Sequence, residues 1–516
     1  MSARTTNKWV IAITVMTGSV MAVLDSSIVN VALPDMAGTL GATIEEITWV
    51  ITGYILANVI IMPIIGLLSA RFGRKRMYQA SVLLFTGASM ACGTASSLSL
   101  IVVFRVIQGL GGGVLITVSQ AILRETFPAD EQGLAMGIYG MGVVLAPAFG
   151  PTLGGWLTDQ YSWPWIFFIN VPIGALNLFL VNRFLQDPPY LVRERGRIDW
   201  LGLSLMTVGL GSLQYMLEKG ETKDWFESRM IVTLAIVAAA GLILFIWREL
   251  TTDRPAVDLR ILRNVQFSAA TFIGGILGMG LYASLFILPL FLQNLLGYPA
   301  MKSGLALMPR SLAMAVVMPI SGRFYNRLGP RVLITAGLIV SAYSFWELSH
   351  LTTQTGFWDI FVPQVWQGVG FSLLFVALST AALSTIAKPE MTAATGLYNV
   401  VRQVAGSVGI AAAATEITRG SARAFAGITP QVTMFDQSVR DWLHGAVALF
   451  TRNGAGPVEA QRSALALLEG KILRQATVIA YNHVFQMIAI LFLVAFPLVI
   501  MLRKVQGAET GEIMVE

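Results

Sequence analysis

Two ionisable residues interrupt apolar sequence deeply enough to need a chemical explanation. Asp25 lies in "VMAVLDSSIVNVALP" (20–34) and Arg105 in "FRVIQG" (104–109), each inside a run otherwise fit for hydrocarbon. A charged carboxylate at the centre of a membrane helix costs about 2.5–3.5 kcal/mol on insertion scales, so it is paired, hydrated or protonated. An acid that loads a proton on one side and releases it when a cation or a wetter cavity arrives is what a proton-coupled exporter of cations requires. Arginine keeps its proton, so Arg105 can pair with an acid or govern one without carrying the proton itself. For both residues the plain alternative is local structural pairing. Arg310, Arg402, Glu347 and Glu416 also lie in or at the ends of apolar runs. Glu416, in "GIAAAATEIT", is the better second proton candidate, because Glu347 in "WELSH" fits an interface.

Such residues need membrane-spanning elements to hold them. The 516 residues are 55% hydrophobic and 12% charged, with a mean hydropathy of +0.68, far from a water-soluble domain. Apolar segments fall near 9–33, 47–70, 77–96, 99–123, 133–157, 164–184, 198–217, 230–248, 267–292, 303–322, 331–350, 358–386, 393–417 and 476–502, giving roughly fourteen spans. The first is longer than a signal-peptide core and no small-residue cleavage site follows, so it is expected to remain as a span. The net charge of +6 sits in short clusters beside apolar runs, which argues against nucleic acid. "ARFGRKR", Arg124, "RERGR", "RELTTDRPAVDLRILRN", "RFYNRLGPR", Lys388 and the tail "RK" alternate with nearly uncharged early loops, placing both termini in the cytoplasm. Segment 418–475, though basic, falls outside on this count; within it "PVEAQRSALALLEGKILRQA" (457–476) predicts an amphipathic helix. One cysteine and three histidines exclude an internal disulfide and give no metal-ligand cluster, and no cofactor motif is present. No nucleophile–base set suggests an enzyme.

The chain also repeats itself. "MPIIGLLSARFGRK" (62–75) aligns without gaps on "MPISGRFYNRLGPR" (318–331), matching Gly66 to Gly322, Arg71 to Arg327 and Gly73 to Gly329. "VIQGLG" (106–111) aligns on "VWQGVG" (365–370), and at the same offset Gly137, Tyr139, Ala146 and Gly150 meet Gly396, Tyr398, Ala405 and Gly409. Parallel duplication explains this: a six-helix half at 1–187, a linker with two extra spans at 188–265, and a second half at 266–516. Substrate in such an all-α transporter lies between the halves near the midplane. "QGLGGG" lacks the Lys-Ser/Thr of a phosphate loop and reads as close helix packing. "APAFGPTLGG" (146–155) combines small residues with two prolines, as a rocking interface or a simple packing seam would. Trp163, Trp165 and Phe167 fit an aromatic belt.

Taken together, "LDSSIVNVALP", "GLLSARFGRK", "RVIQG" and "GPTLGG" resemble the major facilitator superfamily, and within it the fourteen-helix drug:proton antiporters of the EmrB/QacA type. "WPWIFFINVPIG" followed by "RIDWLGL" resembles the EmrB branch most. The resemblance implies export of hydrophobic, often cationic drugs against proton entry. It implies Asp25 as the coupling acid, Arg105 as a residue linked to proton transfer, Gly66, Arg71, Gly73 and Arg74 as the conformational loop motif, and Ala146, Gly150, Pro151, Gly154 and Gly155 as the antiporter seam. It further implies a bacterial inner membrane and a tripartite assembly with an EmrA-like periplasmic adaptor and a TolC-like outer-membrane channel, with 418–475 as a docking site. An exporter of one physiological solute, such as a siderophore or fatty acid, and a non-transporting sensor are the rival readings.

The loop motif departs from the family at Ala70, where an aspartate is usual; the second copy has Asn326. The missing charge lock predicts a less firmly held outward-facing state. Ala70→Asp is therefore expected to reduce labelling of cytoplasmic-end cysteines and to alter transport; unchanged accessibility and transport would remove the idea.

Overall fold

The computed structural model describes residues 7–188, 198–253 and 255–502. The basic cluster "RERGR", Arg254 and the "RK" of the tail lie outside the described residues. Twenty or so apolar residues in a bilayer must satisfy their backbone internally, and the chain does so with helices. The first half comprises α1 (Lys8–Leu40), α2 (Trp49–Phe72), α3 (Arg74–Thr94), α4 (Leu98–Thr126), α5 (Gln132–Gln160) and, after a turn at Trp165–Phe168, α6 (Asn170–Phe184). An inserted pair follows, α7 (Trp200–Lys219) and α8 (Arg229–Thr251). The second half has α9 (Val265–Leu290), α10 (Ala300–Leu348), α11 (Phe357–Leu383), α12 (Met391–Ile428), α13 (Gln437–Arg452) and α14 (Pro457–Val494).

Among the described residues, eleven helices are long and apolar enough to cross a membrane. The fourteen spans of the sequence reading are nevertheless present. α10 holds two of them, divided at Gly329, whose φ of 78° breaks the helix; α3 and α12 are long but more diluted with polar residues. Gly73, the repeat partner of Gly329, has φ 85° and ψ 154°. That backbone region is essentially reserved for glycine, which explains the residue type at both copies.

One expectation changes. The amphipathic helix of 457–476 and the last span are not separate elements; α14 runs unbroken from Pro457 to Val494. Its 38 residues make a rod about 57 Å long, well beyond a ~30 Å hydrocarbon layer. Nothing in "LRQATVIAY" breaks a helix, since it contains neither proline nor glycine. The amphipathic part packs through Ala464 and Leu468 on Leu443 and Ala446 of α13.

The halves meet through α2 against α12 and α5 against α10. Their closest approach lies at the end carrying Gly73 and Gly329, which the charge pattern assigns to the cytoplasm; it is called the inner end below. A methyl group on Gly66 would lie 2.6 Å from Cβ of Ala393, and one on Gly133 would lie 2.6 Å from the carbonyl oxygen of Gly322. Likewise a methyl on Gly137 would stand 2.5 Å from the Met318 carbonyl oxygen, while Gly396 abuts that of Met62. Since Gly66 pairs with Gly322 and Gly137 with Gly396 in the repeat, the seam is two copies of one contact. Arg74 adds a hydrogen bond across it to the Lys388 carbonyl at 3.1 Å, and Asn326 donates to the Asp130 carbonyl.

Away from the inner end the halves part. Along α5, mostly buried residues at 133–140 give way to half-exposed ones at 141–145; along α12 the change comes between 391–400 and 401–405. The inserted pair spans the two halves on one side. From α7 and the turn after it, Glu218 accepts from Thr52 (3.0 Å), Lys219 donates to Thr48 (2.7 Å) and Lys223 pairs with Glu45 (2.7 Å). Toward α12, Gln214 donates to Ser407 (2.7 Å) and Trp225 to Thr415 (2.9 Å).

Overpacking a tight contact costs about 1–3 kcal/mol, so Gly137→Ala is expected to lower the population of the closed inner end by about tenfold per 1.4 kcal/mol. Thr392, 2% exposed at that end, supplies the reporter. Maleimide labelling of a Thr392→Cys protein should accelerate by at least that factor when Gly137→Ala is added.

Candidate functional site

Asp25 is fully buried, and its carboxylate is held by three donors from two other helices. Oδ2 accepts from Arg105 Nη1 at 2.5 Å. Oδ1 accepts from Gln108 Nε2 at 2.9 Å and from Asn170 Nδ2 at 2.7 Å. Arg105, 1% exposed, donates its Nε to the Val50 carbonyl at 3.0 Å and its Nη1 also to Gln108 Oε1 at 2.8 Å. Its guanidinium lies over the Tyr54 ring at 4.3 Å and near that of Phe167 at 5.7 Å. Tyr54 in turn donates to the Ala22 carbonyl at 3.1 Å, and Asn170 to Ser89 at 3.0 Å. α1, α2, α4 and α6 thus converge on one ion pair.

The spacing that achieves this is local. Arg105 and Gln108 stand three residues apart on α4, so one helix face offers both a cation and an amide. The arrangement suits the ionised acid: every hydrogen bond on the carboxylate is donated to it, and buried charges persist only when answered in this way. Adding a proton would turn one acceptor into a donor facing a guanidinium. A proton on Asp25 would therefore compete with Arg105 for the same oxygens. One turn along α1 from Asp25, a methyl on Gly154 of α5 would lie 2.8 Å from the Ile28 carbonyl oxygen, while Gly150 abuts Ser27. Ser27 donates to the Pro147 carbonyl at 3.1 Å. A change in the position of α1 reaches α5 directly, and α5 forms half of the seam between the halves.

Of the residues singled out by sequence, the structure brings together Asp25 and Arg105, with Gly150 and Gly154 beside them. Ala146 is buried on α5, and Gly155 has only a loose neighbour in Val31 at 3.8 Å; Pro151 is exposed. Gly66 lies on the half–half seam, Gly73 makes the turn between α2 and α3, and Arg71 ends α2. Arg74 is buried and ion-paired with Glu125. Glu416 does not join Asp25: it lies in the second half and pairs with Arg423 at 2.6 Å. Glu347 also lies in the second half, at the end of α10 beside Tyr343. Phe167 is fully buried against Arg105 and so is no belt residue, whereas Trp165 is exposed.

Gln108 and Asn170 are the partners that sequence reasoning missed. Both stood in quoted motifs, "RVIQG" and "FFINVPIG", as single amides in apolar surroundings, a weaker signal than that of the charges. At the repeat offset the second half carries Ser284, Gln364 and Gln367 where the first has Asp25, Arg105 and Gln108. Its cation comes instead from Arg310, which donates to Ser284 at 3.0 Å and Gln367 at 3.1 Å. The acid is thus confined to the first half.

A second polar group lies between the halves. Arg402 of α12 donates Nη2 to Asn399 Oδ1 at 2.9 Å, and Asn399 Nδ2 donates to Gln120 Oε1 of α4 at 2.8 Å. The Arg402 guanidinium lies 5.3 Å from the Phe375 ring centroid and 5.7 Å from that of Tyr398. Such contacts supply about 0.5–2 kcal/mol, less than the desolvation of a cation.

The sequence matches the model of the Major Facilitator Superfamily over residues 15–410. The chain belongs to that superfamily of membrane transporters. It is 36% identical over 493 residues to the multidrug export protein EmrB of Escherichia coli K12, covering 95% of this chain and 94% of that one. To the fatty acid resistance protein FarB of Neisseria gonorrhoeae it is 36% identical, covering 93% of each chain. The crystal structure of the human organic anion transporter MFSD10 superimposes with a TM-score of 0.59 at 12% identity, covering 94% of this chain and 99% of that one. That likeness supports the fold: an all-helical, multi-pass membrane protein of the major facilitator type.

Removing one partner of a buried ion pair costs about 3–5 kcal/mol, and losing a hydrogen bond to a charged group about 1.5–3 kcal/mol. Thermal unfolding in detergent should rank Arg105→Ala as the least stable variant, then Asn170→Ala, with Glu347→Gln near wild type.

Proposed function

We propose that this chain is a proton-coupled exporter of hydrophobic compounds, driven by proton entry through Asp25. The observation that carries this reading is the fully buried Asp25–Arg105 pair, held in a chain 36% identical to a multidrug export protein along 95% of its length. In the proposed cycle the ionised acid is bound by Arg105, Gln108 and Asn170. A proton arriving on Asp25 displaces Arg105 from Oδ2; α1 shifts, and the Gly150–Gly154 contact passes the shift to α5. α5 then alters its seam with α10, and access to the space between the halves changes sides. Each charge crossing the membrane is worth about 2.3 kcal/mol per 100 mV, enough to drive accumulation.

The same reading places the protein in a bacterial inner membrane with both termini cytoplasmic. The long α14 and its partner α13 would then project on the far side, where an EmrA-like adaptor and a TolC-like channel would complete a tripartite pump. Glu416 and Glu347, each held elsewhere, are left as secondary proton candidates at most.

The test uses purified protein in liposomes under an imposed pH gradient, with a fluorescent hydrophobic substrate and lumenal pH followed together. Wild type should show substrate movement and proton counterflow in step. Asp25→Asn should still bind substrate yet lose uphill transport entirely; a variant that remains coupled would remove Asp25 from the mechanism.

A further inference from the structure

Glu218 is the last residue but one of α7, at the outer end of the inserted pair, and no motif singled it out. A carboxylate in apolar surroundings is paired, hydrated or protonated. Oε1 of Glu218 accepts from the Thr52 hydroxyl of α2 at 3.0 Å. Its Oε2 is buried with no hydrogen-bond donor, and among the described residues no cation pairs with it. Lys219, the charged side chain that faces it, donates to Thr48 at 2.7 Å. The titratable groups at this end of the neighbouring elements are engaged elsewhere or stand apart. Lys223 pairs with Glu45 at 2.7 Å, Glu416 of α12 pairs with Arg423 at 2.6 Å, and Arg229 opens α8 without a bond to Glu218.

One turn back on the same face, Gln214 adjoins the Glu218 carboxyl and has a matching deficit. Its Nε2 is committed to Ser407 of α12 at 2.7 Å, while its Oε1 is buried with no donor. Two acceptors thus lie together with no hydrogen between them, and a proton on Glu218 Oε2 answers both. We infer that Glu218 is a second proton-binding site, filled from the outer side, and that its hydrogen bond to Gln214 makes the inserted pair a proton-dependent strap between the halves. The acid is tied to the first half through Thr52 and its acceptor to the second through Ser407. The bond therefore depends on the present separation of α2 and α12 around α7. Bringing the outer end together displaces Gln214; the acid then ionises and returns its proton to water. α2 also links this acid to the other, since Val50, two residues before Thr52, holds Arg105 through its carbonyl. The inference rests on the exporter reading for the alternation between the two arrangements. It gives the two protons opposite effects: one on Glu218 holds the outer end apart, and one on Asp25 releases it.

The full chain in uncharged detergent, with no gradient, carries the test. Infrared titration should show a carboxylic C=O band at neutral pH that Glu218→Gln removes and Asp25→Asn keeps. Spin labels on Asp159→Cys and Gln354→Cys, both exposed at the outer ends of the two halves, report the separation by pulsed electron resonance; native Cys92 is buried. In an Asp25→Asn background the ratio of wide to narrow separations should fall by about tenfold or more as pH rises. Glu218→Gln, whose amide can donate to Gln214 as the protonated acid does, should hold the wide population at every pH, and Glu218→Ala should lose it at every pH. A missing band, a flat profile in Asp25→Asn alone, or a profile that survives Glu218→Gln would overturn the inference even where proton-driven export is observed. Band and profile together, in a protein that shows no proton-coupled flux, would uphold the site and sink the exporter reading instead.

Discussion

A carboxylate inside a helix bundle is stable as an anion only while its neighbours keep their donors on it, and the first half of this protein is organised around that condition. Asp25 sits on α1, its cation and one amide on α4, its second amide on α6, and the carbonyl that steadies the cation on α2. No one of these helices can move far without leaving a buried charge unanswered. In the proposed cycle a proton would relax the constraint by neutralising the acid and releasing the arginine. The same interaction thus holds the half together and, in the proposed cycle, would make it responsive.

The seam between the halves is built on a different principle. It contains backbone brought against backbone at glycines, twice over, with each contact related to the other by the repeat. Such contacts are short and lose their attraction with small displacements, so they favour two discrete arrangements over a continuum. Among the described residues, polar links across the seam include donation to backbone carbonyl oxygens from Arg74 and Asn326 and the side-chain bond from Asn399 to Gln120. The arginine route supplies a cross-link at a loop motif that lacks its usual aspartate at position 70.

Much of this was legible in the chain. The spans followed from apolar run length, the two halves from the aligned Gly66 and Gly322 segments, and the buried carboxylate from its expense in hydrocarbon. What the sequence left open depends on distances between helices. Asp25 and Arg105 are eighty residues apart, and only the packing of α1 on α4 makes them partners. The amides of Gln108 and Asn170 carry no charge and so raised no alarm. Glu416 looked as promising as any second acid until its neighbour Arg423, seven residues on, proved to hold it. The continuity of α14 was hidden by a change of surroundings: one helix passes from a polar setting to an apolar one, and hydrophobic pattern divides what the backbone leaves whole.

That continuity has a mechanical side. A rod anchored among α10 and α12 along its lower half, and carrying α13 on its free half, is one unbroken helix. A small tilt of the second half is magnified at the tip in proportion to the length that stands clear. In the proposed cycle the far end of that rod would work as a pointer whose position reports which way the membrane-embedded part is facing, and a load placed on the pointer would bear back on the tilt with the same leverage.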